Sequence, residues 1–487
     1  MTSATTPARV ADGEWTSRWE GTRWLALVPF AIVVVVMLGA EAPLRGPALG
    51  WSLASFAAAA LLVSRLTGPA VRTLWAWLVL GVFMLGYFLQ SVLALSLGGD
   101  PVALERGMGS DMTWVTPAVV VDAFVWIARS AVVACVTATV ALEILVRAPA
   151  APARLPADHV EPRSVWWLLA VCAGASLVFA WLRFVLDIGV LGRETEHLPW
   201  RVDTVIFRSQ SHLLPALFLY ALWAAERAGL ARMWIAAGAL FVGHQVVVSL
   251  LSTSKSGLIW FALPVLFLWI CDRRLTRRRL ALVGTMLVLV IVAYPFFTAL
   301  RQARVRAPEV KTAADVAVAV SKELVYQARH PIMTVRETGR RLIVRVNGAA
   351  GVWFTRRAAA EEGGLDRLWP DRRVPLIRYY TRDIYGVTAP GDFRQPGLVA
   401  AFLLAGGSYG VWLWAAFVAA WAAAWWAAGW MRTAPVARAL IALHLLIFAN
   451  EGTLHWPDLA TAACCVVLIE GIHRRFGAAP ATSPEVA

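Results

Sequence analysis

Residues 233–279 read MWIAAGALFVGHQVVVSLLSTSKSGLIWFALPVLFLWICDRRLTRRR. Two apolar runs, 233–251 and 257–271, flank the turn Ser252-Thr253-Ser254-Lys255-Ser256, and a basic cluster, Arg273–Arg279, closes the stretch. The first run carries no Asp, Glu, Lys or Arg, and it is about as long as a bilayer crossing requires, roughly 20 residues. The second is short for a crossing, and its flanking arginines can snorkel to the interface. A run, a polar turn, a second run and a basic stop make a pair of antiparallel transmembrane helices.

The same pattern recurs along the whole chain. Apolar runs are found at 24–40, 48–64, 73–96, 117–146, 165–186, 204–225, 233–251, 257–271, 280–300, 397–429, 436–450 and 456–472. Hydrophobic residues make up 59% of the 487 and mean hydropathy is +0.64, where soluble domains run to roughly 45–50% apolar. The expected fold is an all-α polytopic membrane protein of about 12 transmembrane helices. Residues 1–23 are polar and carry Arg9, Arg18 and Arg23. The run behind them lacks a small-residue cleavage site, so it reads as a retained first helix. Cys135, Cys172, Cys271, Cys464 and Cys465 lie in or beside the runs without metal-ligand spacing, and read as small apolar core residues.

Arginines occupy every second short connection: Arg65 and Arg72; Arg147, Arg154 and Arg163; Arg227 and Arg232; Arg273–Arg279; Arg432 and Arg438; Arg474 and Arg475. The alternate connections hold Glu41; Asp100, Glu105 and Asp111; and Asp187, Glu194 and Glu196. This alternation predicts both termini in the cytoplasm, with tails 1–23 and 473–487, and an even number of helices.

Residues 301–396 break the pattern. They hold 18 lysines and arginines against 10 aspartates and glutamates, a net +8 of the chain's +14. The chain has no nucleic-acid motif, zinc spacing, Walker motif or internal repeat, so the charge is expected on a large extracytoplasmic loop. Long loops cross regardless of charge. Thr312-x-x-Asp315 resembles a helix start, followed by Val316, Val320 and Leu324 at helical spacing. A second amphipathic helix is predicted over 332–346, with Arg336, Arg340, Arg341 and Arg345 opposite its apolar arc. Such a helix suits the membrane interface.

Three places carry candidate chemistry. The turn Ser252–Gly257, with Lys255, makes an anion cradle at a helix start, or an ordinary polar turn. Arg301, Arg304 and Arg306 begin the basic loop, and guanidinium groups fork onto phosphate oxygens; Arg345, Asn347 and Gly348 lie further along it, where Asn-Gly reads equally as a helix stop. Third is Asn450–Asp458, where Glu451, His455 and Asp458 are ionisable groups at membrane depth able to accept a proton from a sugar hydroxyl. Asp122 with Arg129, and Arg183 with Asp187, read as internal ion pairs, and His244 and His444 as single intramembrane histidines.

The order of these features resembles the bacterial O-antigen polymerases, or oligosaccharide repeat-unit polymerases. The similar elements are Ser254-Lys255-Ser256-Gly257, Tyr294-Pro295-Phe296-Phe297 with Arg301, Arg345–Gly348, and Pro390-Gly391-Asp392-Phe393 through Gln395-Pro396-Gly397 to Tyr409-Gly410-Val411. They cover residues 240–430; Lys255 stands where an arginine is more usual. The related O-antigen ligases carry a His-rich motif in the outer loop, where this chain has only His330.

The resemblance implies a metal-independent membrane glycosyltransferase of the GT-C type, with no cofactor. It would join repeat units carried on undecaprenyl diphosphate, among membrane lipids and beside a flippase and a chain-length regulator. Arg301, Arg304, Lys255, Arg345 and Asn347 would hold the lipid diphosphate, and Glu451, His455 or Asp458 would accept the proton. Trp353, Trp369 and Trp456 lie near these groups in sequence. A lipid-linked oligosaccharide flippase and a ligase-like enzyme are the alternatives.

Overall fold

A computed structural model describes residues 22–39, 42–67, 70–96, 114–147, 161–186, 188, 198–252, 257–273, 275–306, 313–331, 348–372, 374, 376–384, 396–451 and 456–476. All regular structure among them is helical. In chain order the helices are α1 (Val28–Leu38), α2 (Ala42–Arg65), α3 (Ala70–Phe83), α4 (Leu89–Ser96), α5 (Pro117–Arg147), α6 (Pro162–Val185), α7 (Val202–Arg208), α8 (Leu214–Arg227), α9 (Ala231–Ser252), α10 (Gly257–Cys271), α11 (Arg277–Arg306), α12 (Ala313–Arg329), α13 (Ala349–Glu361), α14 (Leu398–Gly406), α15 (Leu413–Ala428), α16 (Ala434–Glu451) and α17 (Trp456–Phe476). One wide π turn, Met84–Phe88, joins α3 to α4, and another, Ser209–Leu213, joins α7 to α8.

Six helical stretches are long and apolar enough to cross a membrane: Arg45–Arg65, Val71–Val92, Pro117–Leu145, Pro162–Val185, Ala231–Leu251 and Leu398–Ala428. Shorter apolar helices cover Arg23–Leu38, Phe261–Cys271, Arg279–Val288 and Ala434–Ala449. Small residues set the closest pairing. Ala128, Ala131, Ala134, Cys135 and Ala138 are fully buried along α5, which packs on α2 through Ala48, Ser52, Ser55 and Ala59. Small side chains let helix backbones approach in an apolar solvent. The Ser52 and Ser55 hydroxyls donate to the carbonyls of Ala48 and Ser52 (2.6 and 2.8 Å), so neither spoils the seam.

One end of the bundle is stitched by charge. Arg227 pairs with Asp272 and Arg279 with Glu226, joining the ends of α8 and α10 to the start of α11. Glu470 of α17 accepts from the Thr433 backbone (3.1 Å) and hydroxyl (2.8 Å) and from Arg474 (3.0 Å). Arg438 donates to the Trp425 carbonyl, and the Trp425 indole to that of Val71, drawing in the start of α3.

Several sequence expectations change. The span expected at 397–429 is found as Leu398–Ala428 but with an interruption: α14 ends at Gly406, a tight turn covers Gly407–Trp412, and α15 follows. Gly407 adopts φ +55°, and the Asp366 carboxylate accepts from the Ser408 backbone at 3.0 Å. A carboxylate drawn to fresh amide donors holds the break open. Asp122 and Arg129 do not pair with each other. Asp122 takes a forked bond from Arg356 (2.7 and 3.3 Å), while Arg129 stacks over Trp51 and Trp126. Cys464 is exposed, unlike the other four cysteines.

The described parts of 301–396 are largely helical. Arg301 and Arg304 continue α11 to Arg306. Gly348 directly precedes α13. Within α13, Ala349–Thr355 are buried. The amphipathic helix expected over 332–346 lies outside the described residues.

Candidate functional site

Of the five residues expected to hold the lipid diphosphate, the backbone of two is described. Arg301 and Arg304 fall one turn apart on α11. Lys255, Arg345 and Asn347 lie outside the described residues, as do the side chains of Arg301 and Arg304. Leu250 of α9 packs with Ala299 and Leu300 of α11 and with Val320 and Leu324 of α12. Helix α12 therefore folds back on α11, burying the Val320–Leu324 face that its spacing predicted. The cluster holds the chain just ahead of each candidate group: the hydroxyl turn begins just past Leu250, and Arg301 follows Leu300. The opposite face of α12 exposes Val318, Lys322, Val325, Tyr326 and Arg329.

The third place is a junction of helix ends. Glu451 closes α16, and Asp458 is the third residue of α17; their side chains, and His455 entirely, lie outside the described residues. Of the tryptophans, Trp353 is fully buried in α13 and cannot stack on a sugar. Trp369 donates to the Val374 carbonyl at 2.9 Å. The side chain of Trp456 lies outside the described residues.

Sequence reading missed a buried polar tract at the second π turn. A π turn widens the helix and re-aims its side chains, and such turns are frequent at functional sites. Arg183, fully buried on α6, donates to Gln210 Oε1 (2.8 Å) and to the Ile188 carbonyl (3.0 Å). Its expected partner Asp187 lies outside the described residues. His244 of α9 donates from Nε2 to the Gln210 carbonyl (2.8 Å), which leaves Nδ1 to accept from the Ser176 hydroxyl (2.7 Å). One residue of the turn thus ties α6 and α9 together.

A second pair of groups sits beside it. His212 of the turn stacks on His444 of α16 at 5.8 Å with rings 25° apart. His444 Nδ1 donates to the Leu440 carbonyl (2.7 Å). Arg208, one turn before His212, reaches the Thr461 hydroxyl of α17 (3.4 Å). Sequence singled out Arg183, His244 and His444 one by one; the polar run Ser209-Gln210-Ser211-His212 inside an apolar span is the signal for the turn that joins them.

Replacing Gln210 by leucine is expected to cost about 2–3 kcal/mol, because a bond to a buried cation is lost and the guanidinium stays desolvated. Adding Arg183→Met should restore part of that loss, a non-additivity that thermal unfolding of both single variants and the double variant would measure. Strict additivity would mean the two side chains do not depend on each other.

The starts of α13 and α14 are tied to the first π turn. The Gly348 amide donates to the Gly86 carbonyl in the first π turn (2.9 Å), and the Tyr87 hydroxyl accepts from the Val399 amide at the start of α14 (3.0 Å). Gly397, at φ +74°, brings its Cβ position 2.8 Å from Gly348 Cα. Several cations here are committed: Arg356 to Asp122, Arg357 to Glu361 and Arg382 to Asp383. Among the described residues no group of three His, Cys, Asp or Glu could hold a metal ion. No family model, curated protein or solved structure matches the chain.

Proposed function

We propose that the chain is a membrane glycosyltransferase that joins undecaprenyl-diphosphate-linked oligosaccharide repeat units on the outer face of the cytoplasmic membrane. In this reading it has about twelve crossings and cytoplasmic termini, and its basic segment 301–396 faces outward. The observation that carries the reading is the Leu250–Leu300–Val320 cluster. It brings the flank of the Ser/Lys turn and the Arg301–Arg304 turn to one corner, under a helix folded back from the basic segment.

The chemistry follows from charge. As the glycosidic bond to the donor's diphosphate breaks, negative charge grows on the leaving oxygen. Fixed cations aimed there lower the barrier, most strongly where water is excluded. Arg301, Arg304, Lys255 and Arg345 are the clamp, Asn347 a neutral donor beside it. The acceptor hydroxyl gives up its proton to a base as it attacks; Glu451, His455 and Asp458 at the helix junction are the ionisable groups that the sequence offers for it. This chemistry asks for no metal.

One feature favours a transporter of the same lipid-linked glycan: the broken α14–α15 span is of the kind that lines transport sites. Purified protein in liposomes decides between them. Elongation of lipid-linked repeat units is expected; scrambling of labelled lipid without elongation would replace the enzyme by a flippase.

A further inference from the structure

We infer that His212, in place of the junction groups Glu451, His455 and Asp458, is the general base of the glycosyl transfer, an assignment that rests on the polymerase reading above. Ionisable groups inside membrane spans are costly and are retained for function. The described histidines of the spans differ in what is left to them. His244 uses both ring nitrogens, on Ser176 and Gln210. His473 meets the Tyr220 hydroxyl at the charge-stitched end of the bundle. His444 is buried, with Nδ1 committed to its own helix. His212 is only half-buried, and no described group hydrogen-bonds either of its ring nitrogens.

Its placement fits the task. The π turn swings His212 out of α-helical register against His444, which backs the ring at 5.8 Å. Helical side chains lean toward their N-terminal end, so His212 leans toward the start of α7. That is the end where Glu451 closes α16, two turns beyond His444, and where Arg208 holds Thr461 near the start of α17. The turn is also tied, through Gln210 and His244, to α9, whose last residues lead into the Lys255 turn. At 1.5 Å per residue the eight residues from His244 to Ser252 span about 12 Å, so the tied turn lies about two turns of helix from the end of α9.

The step balances without a co-reactant. The acceptor hydroxyl oxygen forms a bond to the donor's anomeric carbon, and its proton passes to a neutral His212 ring nitrogen. The carbon–oxygen bond to the diphosphate breaks, and the lipid diphosphate leaves with the electron pair. His212 then returns its proton to solvent.

The test uses full-length protein in liposomes with undecaprenyl-diphosphate oligosaccharide extracted from the membranes of its own cells. His212→Ala should elongate at least 100-fold more slowly, the scale of a lost general base, while melting as wild type does. His212→Gln keeps size and polarity but cannot take the proton, so it should be equally slow. Free imidazole should restore His212→Ala at least tenfold. A His212→Gln variant at the wild-type rate, or a folded His212→Ala that imidazole leaves unchanged, overturns the assignment while the polymerase reading stands. Wild-type protein that elongates nothing overturns both.

Discussion

Replacing Gly351 with alanine is expected to detach α13 from the bundle and remove folded protein from the membrane. A Cβ at this position collides with the Pro396 carbonyl, a backbone atom with no rotamer to escape into. Relief would require moving α13 or the approach to α14, and both are held. Gly348 is pinned to Gly86, Tyr87 to Val399, and Arg356 to Asp122. Overpacking in a closed core costs about 1–3 kcal/mol and more where backbone must yield. Undocking would strand Val352, Trp353 and Phe354, all buried now. The comparison is Gly243→Ala on α9, where an added methyl meets nothing within 4 Å. It should be neutral or stabilising by up to about 1 kcal/mol, the helix cost of glycine. Size-exclusion and melting profiles in detergent would compare them. A Gly351→Ala protein that elutes and melts like wild type would show that α13 is not held by this contact.

That seam also marks where sequence stops being informative. Hydropathy over 117–146 anticipates a helix that runs Pro117–Arg147, because burial in lipid needs only length and apolar composition. The Val320–Leu324 spacing likewise anticipates the packed face of α12. Helix α13 carries no such signal. It is 13 residues long with Arg356 and Arg357 inside it, and its burial depends on fit against Tyr87 and Pro396. Tyr87 and Val399 are 312 positions apart. The break at Gly407 depends on Asp366, which reads locally as one more loop charge. The π turns have no period to detect, so the Arg183–Gln210–His244 tract and the His212–His444 stack exist only in space. At the second π turn the residue types were legible in sequence, and their partners on α6, α9 and α16 were not.

Removing both charges, Arg301→Gln with Arg304→Gln, is expected to slow glycan elongation by at least 100-fold with the protein still folded. The two positions are one turn apart at the far end of α11, beyond Ala299 and Leu300, which do the packing. The loss should therefore appear in chemistry and not in melting temperature. Losing one preorganised stabiliser of a developing anion costs about 100- to 1,000-fold. A pair acting on the same diphosphate is expected to be non-additive, so the double variant sets a floor, not a product. The way the loss divides is diagnostic. Cations that grip the diphosphate equally before and during bond breaking would raise KM alone, whereas cations that meet the charge as it develops would lower kcat. The leaving-group role requires the second pattern. Arg301→Lys should fall between, since an ammonium keeps the charge and loses the planar fork. Lys322→Gln, on the exposed face of α12, removes a charge of the same segment without touching the clamp and should stay within about threefold of wild type, as general attraction to a lipid surface is worth only about 1 kcal/mol per cation. If instead Lys322→Gln and the double variant slow elongation alike, the basic segment works by drawing anionic lipid to the surface, and no clamp exists at Arg301.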